Sequence, residues 1–257
     1  MRDALEVDQI FDHISYMKGS SVIRMLSAHL TNDVFLKGVS DYLHAHKFGN
    51  ATTNDLWSAL SKSSGKDVNS FMDFWIRKIG FPVVTVAEEP GQIGVRQGRF
   101  LLTGDVKPEE DETIWWIPLG LQTGPNATAH KVTAITSKEE TIRDVDESFY
   151  KINVNQTGFY RTNYPPERLR KLGAAKDRLS IEDKIGLVGD AYALGVSGHG
   201  KTTGFLALIE SFQEEDNYLY VLQLQVTNIT IYVLTPQQCL VPDPDQPWQY
   251  SHDLFRS

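Results

Sequence analysis

The chain has 257 residues, of which 41% are hydrophobic and 23% are charged, a composition that supports one to three globular units. Its formal net charge of −8 disfavours nucleic acid as a partner, because an acidic surface repels phosphates. The single cysteine, Cys239, excludes an intrachain disulfide. No apolar run approaches the ~18–20 residues of a membrane span, and the first residues lack the apolar core of a signal peptide. We therefore expect a cytoplasmic protein with no membrane contact.

Residues 1–81 have the periodicity of amphipathic helices, with apolar residues at helical spacing from Ile10 to Leu30. Signals that start or stop further helices follow in order: Asn32 or Asp33, Gly49, Thr52 with Asp55, Gly65, and Gly80 with Pro82. One buried apolar stripe is predicted on the last of these helices: Phe71, Phe74, Trp75 and Ile79.

Residues 82–164 consist of short runs of β-branched and aromatic residues, and these runs are separated by residues that favour turns. This spacing is typical of a small antiparallel β-sandwich. The acidic residues 109–112 stand between two of the predicted strands and could bind a cation. Adjacent carboxylates in a loop usually face water, so we interpret this run as a solvated turn.

The helical period returns from residue 165, and "GVSGHGKT" at residues 195–202 has the spelling of a phosphate-binding loop. Such a loop needs a strand before it and a helix after it. Here Ser180 and Asp183 instead form a capping pattern that begins a helix leading to Gly195. We therefore predict a connection between two antiparallel helices with Lys201 facing solvent, and nucleotide binding is the less favoured alternative.

The stretch "ISYMKGSSVIRML" at residues 14–26 carries more information. Its amphipathic pattern alone predicts a helix in which Tyr16 serves packing. The string resembles the segment after the zinc site in the alanyl and puromycin-sensitive aminopeptidases, a family of zinc metallopeptidases. The likeness continues through "MDFWIRKIGFPVVTV", "GFYRTNY" and "LSIEDKIGLVGDAYALGVSGHGKT". It covers roughly residues 5–220 and is closest to the fungal cytosolic members.

This resemblance implies a multidomain fold of helices and strands. Residues 1–81 would be the helical end of a thermolysin-like catalytic domain, and residues 82–164 an antiparallel β-sandwich. Residues 165–220 would be the start of a C-terminal α-helical domain. Residues 221–257 depart from the family, and we expect residues 236–257 to pack poorly because they form a Pro-rich polar tail.

The resemblance also implies a catalytic role for Tyr16. In the family this tyrosine donates a hydrogen bond to the scissile carbonyl oxygen while zinc polarises the same oxygen. Negative charge grows there in the transition state, and losing one such donor typically costs on the order of 3–4 kcal/mol. Lys18 is interpreted as structural or solvated.

The zinc-binding motif His-Glu-x-x-His and the substrate-amine motif Gly-x-Met-Glu-Asn of the family are both absent from the sequence. None of the seven histidines is followed by Glu, and we interpret His44 and His46 as surface residues. Zinc is the family's cofactor, but this chain offers no ligands for it. We therefore expect an aminopeptidase fragment that is inert alone.

Its expected partners are peptide substrates and the missing zinc-binding half. That half would normally cover exposed apolar patches on the first helices. The alternative from a different class is a non-catalytic scaffold that binds peptides or a partner protein.

Overall fold

The computed structural model describes residues 14–124, 129–131, 134–213, 215 and 217. The predicted tail at residues 221–257 lies outside these residues. After a π-helical turn at Ile14–Lys18, the helices are α1 Gly19–Leu30, α2 Asn32–Ala45, α3 Thr53–Ser64, α4 Val68–Ile76, α5 Pro166–Ala174, α6 Ile181–Val196 and α7 Thr202–Ser211. The strands are β1 Pro82–Glu89, β2 Gln92–Arg99, β3 Ile117–Pro118, β4 Leu121–Thr123, β5 Ala129–Lys131, β6 Ala134–Ile135, β7 Glu139–Arg143, β8 Tyr150–Lys151 and β9 Arg161–Asn163.

Helices α2 and α3 pack closely because a glycine stands at their contact. A Cβ atom on Gly38 would lie 2.5 Å from the Ser63 hydroxyl oxygen and 2.8 Å from a methyl carbon of Leu60. Real Cβ atoms do not approach other atoms so closely, so a larger residue would push the two helices apart. Gly38 therefore sets the distance between α2 and α3.

The predicted boundaries of α3 are confirmed. The Asp55 carboxylate accepts hydrogen bonds of 2.7 Å from both the backbone N–H and the hydroxyl of Thr52, which satisfies a donor at the start of the helix. Gly65 ends the helix in the left-handed conformation with φ 67°.

The predicted stripe on α4 is only partly correct. Phe71 and Trp75 are buried, and Phe74 packs against the core. Ile79 is 81% exposed because α4 ends at Ile76, so the helical spacing no longer decides where its side chain points.

The strands form a mixed sheet rather than a wholly antiparallel one. The largest sheet has the order β7-β2-β1-β9, in which β1 pairs antiparallel with β2 but parallel with β9. Two smaller antiparallel sheets join β3 with β6, and β5 with β4 and β8. The expectation of an antiparallel arrangement throughout is therefore wrong at β9, while the sandwich and the thermolysin-like arrangement stay predictions.

One apolar cluster runs through all three parts of the chain, from Val22 on α1 to Phe212 after α7. Strands begin six residues after α4 ends, and α5 begins shortly after β9. These changes of secondary structure fall near the predicted boundaries at residues 81 and 164. Because the core is shared, the division into separate domains stays a prediction.

Candidate functional site

Tyr16 lies on the π-helical turn Ile14–Lys18, which continues directly into α1 through a helical Lys18. Its side chain is 56% exposed, so it is available at the surface. The hydroxyl groups of Ser20 and Ser21 donate to the Met17 carbonyl at 3.2 and 2.7 Å. Single π turns are uncommon and often occur at functional sites. The structure thus places the predicted catalytic tyrosine on an open surface.

Lys18 ties this turn to a distant part of the chain. Its ammonium donates to the carbonyl oxygens of Lys78 at 3.0 Å and Gly80 at 3.3 Å, in the connection between α4 and β1. Partial burial lowers the pKa of Lys18. Of the two expectations for Lys18, the structural one is confirmed.

Large apolar side chains are exposed on and after the first four helices, as expected. Besides Tyr16 they are Met17, Leu36, Leu43, Phe48, Ile76 and Ile79. Phe48 is 98% exposed and has a positive φ of 58°, which is unusual for a bulky residue. These side chains give this part of the surface an apolar character.

Within the described ranges, no three His, Cys, Asp or Glu side chains lie close enough together to hold a metal ion. These residues therefore do not fit a zinc site. His44 is exposed and its Nδ1 lies 2.8 Å from the Ser40 carbonyl oxygen. His46 stands beside Tyr42, with ring centroids 5.3 Å apart.

The connection at residues 195–202 joins α6 to α7, as predicted, and α6 rather than a strand leads into it. The backbone N–H groups of Ser197, Gly198 and Gly200 donate to carbonyls of α6. They are thus already paired and do not form the open cradle that a phosphate needs. Lys201 is exposed.

The predicted solvated turn at the acidic residues 109–112 is only partly correct, because Glu109 and Glu112 are exposed but Glu110 and Asp111 are paired. The Asp111 carboxylate accepts from the backbone N–H of Arg99 at 2.8 Å and pairs with Arg96 at 3.0 Å and Lys138 at 2.9 Å. Glu110 pairs with Arg99 at 2.9 Å. Basic side chains on β2 and on the residue before β7 therefore occupy the positions that a bound cation would take.

Sequence reasoning missed a group of buried ions between the strands and the last helices. Lys151 on β8 is 1% exposed and lies 2.7 Å from the carboxylate of Asp183 on α6, which is 2% exposed. The Lys151 ammonium also donates to the carbonyls of Ile152 and Asn153. A lysine between aromatic and apolar residues in a strand-like run was the available signal.

Two further ion pairs lie at the same boundary between the strands and the last helices. Arg168 on α5 lies 2.5 Å from Glu88 on β1, with its guanidinium 4.0 Å from the Tyr150 ring centroid. Arg161 on β9 pairs with Asp190 on α6 at 3.0 Å, and burial raises the pKa of that carboxyl. The last helices are thereby fixed to the strands by charge as well as by apolar contact.

Sequence reasoning also missed a cavity of about 450 Å³ between α1, α4 and Trp116. The His29 ring stacks on Phe71 at 5.6 Å and meets Trp116 edge-on at 4.8 Å. Burial, and secondarily the charge of Lys66, lowers the pKa of His29 to about 4. Lys66 donates to the His29 carbonyl and the Asp67 carboxylate accepts from Ser70, whereas the buried Nδ1 of His29 has no hydrogen-bond partner among the described residues.

Two family models match parts of the chain. Residues 1–75 match the peptidase family M1 domain, and residues 149–233 match the ERAP1-like C-terminal domain. The predicted resemblance to the M1 aminopeptidases is thereby confirmed, and the second match extends to residue 233, beyond residue 221 where we expected the likeness to end.

Particular relatives point the same way. The chain is 50% identical over 222 residues to "Aminopeptidase 2" of Candida albicans, covering 85% of this chain and 24% of that protein. It is 46% identical over 220 residues to "Aminopeptidase 2, mitochondrial" of Saccharomyces cerevisiae, covering 85% of this chain and 23% of the relative.

A more distant relative is "Tricorn protease-interacting factor F2" of Thermoplasma acidophilum, 35% identical over 92% of this chain and 29% of its own length. The chain thus spans about a quarter of the length of these relatives. Among the helices that the structure describes, none is both long and apolar enough to cross a bilayer.

Proposed function

We propose that this chain is part of a zinc aminopeptidase that removes N-terminal residues from peptides, and that Tyr16 is the catalytic residue it contributes. The carrying observation is an exposed Tyr16 on an anchored π turn, within the segment that matches the M1 peptidase domain. A phenol at this position would donate a hydrogen bond to the carbonyl oxygen as that oxygen gains negative charge. Such a donor favours the transition state over the ground state.

We further propose that the chain needs a second, metal-bearing segment for activity. The described residues do not fit a zinc site, and the sequence contains no His-Glu-x-x-His motif. When bound in that segment, zinc would supply a Lewis acid. The apolar side chains exposed between Tyr16 and Ile79 are the surface on which such a segment would pack. A cytoplasmic location belongs to this proposal, although one relative is named mitochondrial.

The test is a chimeric enzyme. Residues of this chain would replace the matching quarter of the Candida albicans relative, and hydrolysis of an aminoacyl anilide would be measured with and without Tyr16→Phe. We expect an active chimera whose kcat falls by about 10²–10³-fold in the variant, with KM changed far less. Tyr42→Phe on α2 is the matched control.

The purified chain alone, assayed with added zinc, is expected to give no hydrolysis above background. Full activity in the Tyr16→Phe chimera would refute the role of Tyr16. Activity of the chain alone, abolished by a chelator, would refute the need for a second segment.

A further inference from the structure

We propose that Lys18 is a positioning residue that directs Tyr16 by fastening the π-helical turn to the connection between α4 and β1. This inference rests on the proposed function, since positioning matters only if Tyr16 acts on substrate. Lys18 and Tyr16 belong to the same five-residue turn, so a change in the position of one backbone segment moves both.

The Lys18 side chain anchors the turn to a part of the chain that is distant in sequence. One ammonium group reaches two backbone carbonyls, those of Lys78 and Gly80, more than 55 residues away in the chain. Both carbonyls lie beyond the end of α4, where no helical N–H pairs with them. Lys18 supplies the donors that this stretch of backbone lacks.

The connection between α4 and β1, to which Lys18 binds, is itself held in place by other contacts. The Lys78 ammonium donates to the Ile114 carbonyl at 2.6 Å and lies 4.6 Å from the Phe74 ring centroid. Gly80 has φ 81°, and a Cβ there would lie 3.0 Å from Nε of Arg99. The Phe100 N–H, just after β2, also donates to the Phe81 carbonyl at 3.0 Å. The connection is thus held to the end of β2 and to the residues before β3, and it gives Lys18 a fixed attachment point.

The π-helical turn is also held at its junction with α1. Ser20 and Ser21 donate to the Met17 carbonyl, so their hydroxyl groups fasten the residue between Tyr16 and Lys18 to the start of α1. Losing the Lys18 ammonium would leave two carbonyls without their donor and free the turn to relax. A displacement of about 1 Å at a reacting group can lower a rate by about 10²-fold.

The test uses fluorine NMR of the full chain labelled with 3-fluorotyrosine, which places one fluorine on each of its ten tyrosines. Tyr16→Phe identifies the Tyr16 signal. Lys18→Met keeps the length of the side chain and removes its donors, and Lys18→Gln replaces the ammonium with a shorter, neutral amide whose NH₂ group has two donors. Lys18→Arg restores a cation that can serve two carbonyls. Lys201→Met, at an exposed lysine, is the control.

We expect Lys18→Met and Lys18→Gln to move the Tyr16 signal more than any other, Lys18→Arg to restore it, and Lys201→Met to leave it in place. If Lys18→Met does not fold, Lys18→Gln and Lys18→Arg carry the comparison. A Tyr16 signal that stays within the scatter of the control overturns the proposal, even if Lys18→Met lowers thermal stability.

In the chimera, Lys18→Met should lower kcat by about 10²-fold with KM nearly unchanged. An unchanged kcat beside a moved signal also overturns the positioning role. The fluorine measurement uses neither zinc nor peptide. A chimera insensitive to Tyr16→Phe therefore overturns the proposed function separately.

Discussion

Two regions of the molecule differ in where they place apolar and charged side chains. The first region is formed by the first four helices, and the second is the boundary between the strands and the last helices. In the described part of the chain, seven of the ten exposed large apolar side chains lie between Tyr16 and Ile79. Among the described residues, every buried polar or charged side chain belongs to Gln97 or to a residue that follows it in the sequence. The first region thus offers apolar surface outward, whereas the second has paired its charges inside. The difference agrees with the proposal that another segment packs on the first region, and it shows that charge pairing helps to hold the second region together.

The largest effect should come from breaking a buried pair in the second region. Lys151→Met leaves the Asp183 carboxylate buried without its cation. We expect the free energy of unfolding to fall by about 3–5 kcal/mol, because an uncompensated buried charge is costly. Urea titration followed by circular dichroism measures it.

The double variant Lys151→Met, Asp183→Leu removes both charges and should recover most of that loss. If the single variant loses less than about 1 kcal/mol, the buried pair does not fix the last helices to the strands.

The next effect concerns His29, a half-buried histidine on α1 in the first region. Its folded-state pKa of about 4 lies below the ordinary 6.5, so between these pH values the unfolded chain binds more protons. The free energy of unfolding should therefore decrease as pH falls from 6.5 to 4. His29→Gln should flatten this dependence in urea titrations at several pH values.

His44→Gln, at an exposed position on α2, controls for the loss of a histidine as such. An equally steep pH dependence in His29→Gln and the unmodified chain would show that other groups cause the acid sensitivity.

A smaller effect compares helix caps in the two regions. Ser180→Ala removes the hydroxyl that accepts from the Asp183 N–H at the start of α6. Thr52→Ala removes the hydroxyl that bonds Asp55 at the start of α3. Each should cost about 1 kcal/mol.

If the shared apolar core makes unfolding a single transition, both caps lower the same midpoint. A Thr52→Ala chain with a separate early transition would instead show that the first helices unfold independently.

The smallest effect on stability should come from the exposed apolar side chains. The triple variant Leu36→Gln, Leu43→Gln, Phe48→Asn should change the free energy of unfolding by less than about 0.5 kcal/mol per site. It should reduce concentration-dependent self-association, measured by sedimentation velocity, because these side chains form the uncovered surface.

The matched control changes the three exposed large apolar residues in the rest of the described chain: Leu102→Gln, Val196→Gln and Leu206→Gln. Equal reductions in self-association by the two triple variants would contradict the contrast between the regions.

Local signals predicted local structure well. The boundaries of α3 followed from Thr52, Asp55 and Gly65, and the connection after α6 followed from the cap at Ser180. Each depends on backbone groups within a few residues. The stripe extended wrongly to Ile79, because nothing local marked Ile76 as the last helical residue.

Features that join distant segments were not predicted. The parallel pairing of β9 with β1 links residues almost eighty positions apart, and Asp111 finds its partners on β2 and near β7. The anchor from Lys18 to Lys78 and Gly80 has the same character. The position of Tyr16 came from family resemblance, since its residue pattern alone favoured a packing role.

The buried lysine on β8 has a consequence for biosynthesis. Its counter-charge at Asp183 leaves the ribosome about thirty residues after Lys151. Until then the nascent strands cannot enclose the ammonium group without a large desolvation penalty. Closure of the sheet region around this lysine should therefore wait for translation of α6, which ties the order of synthesis to the order of assembly.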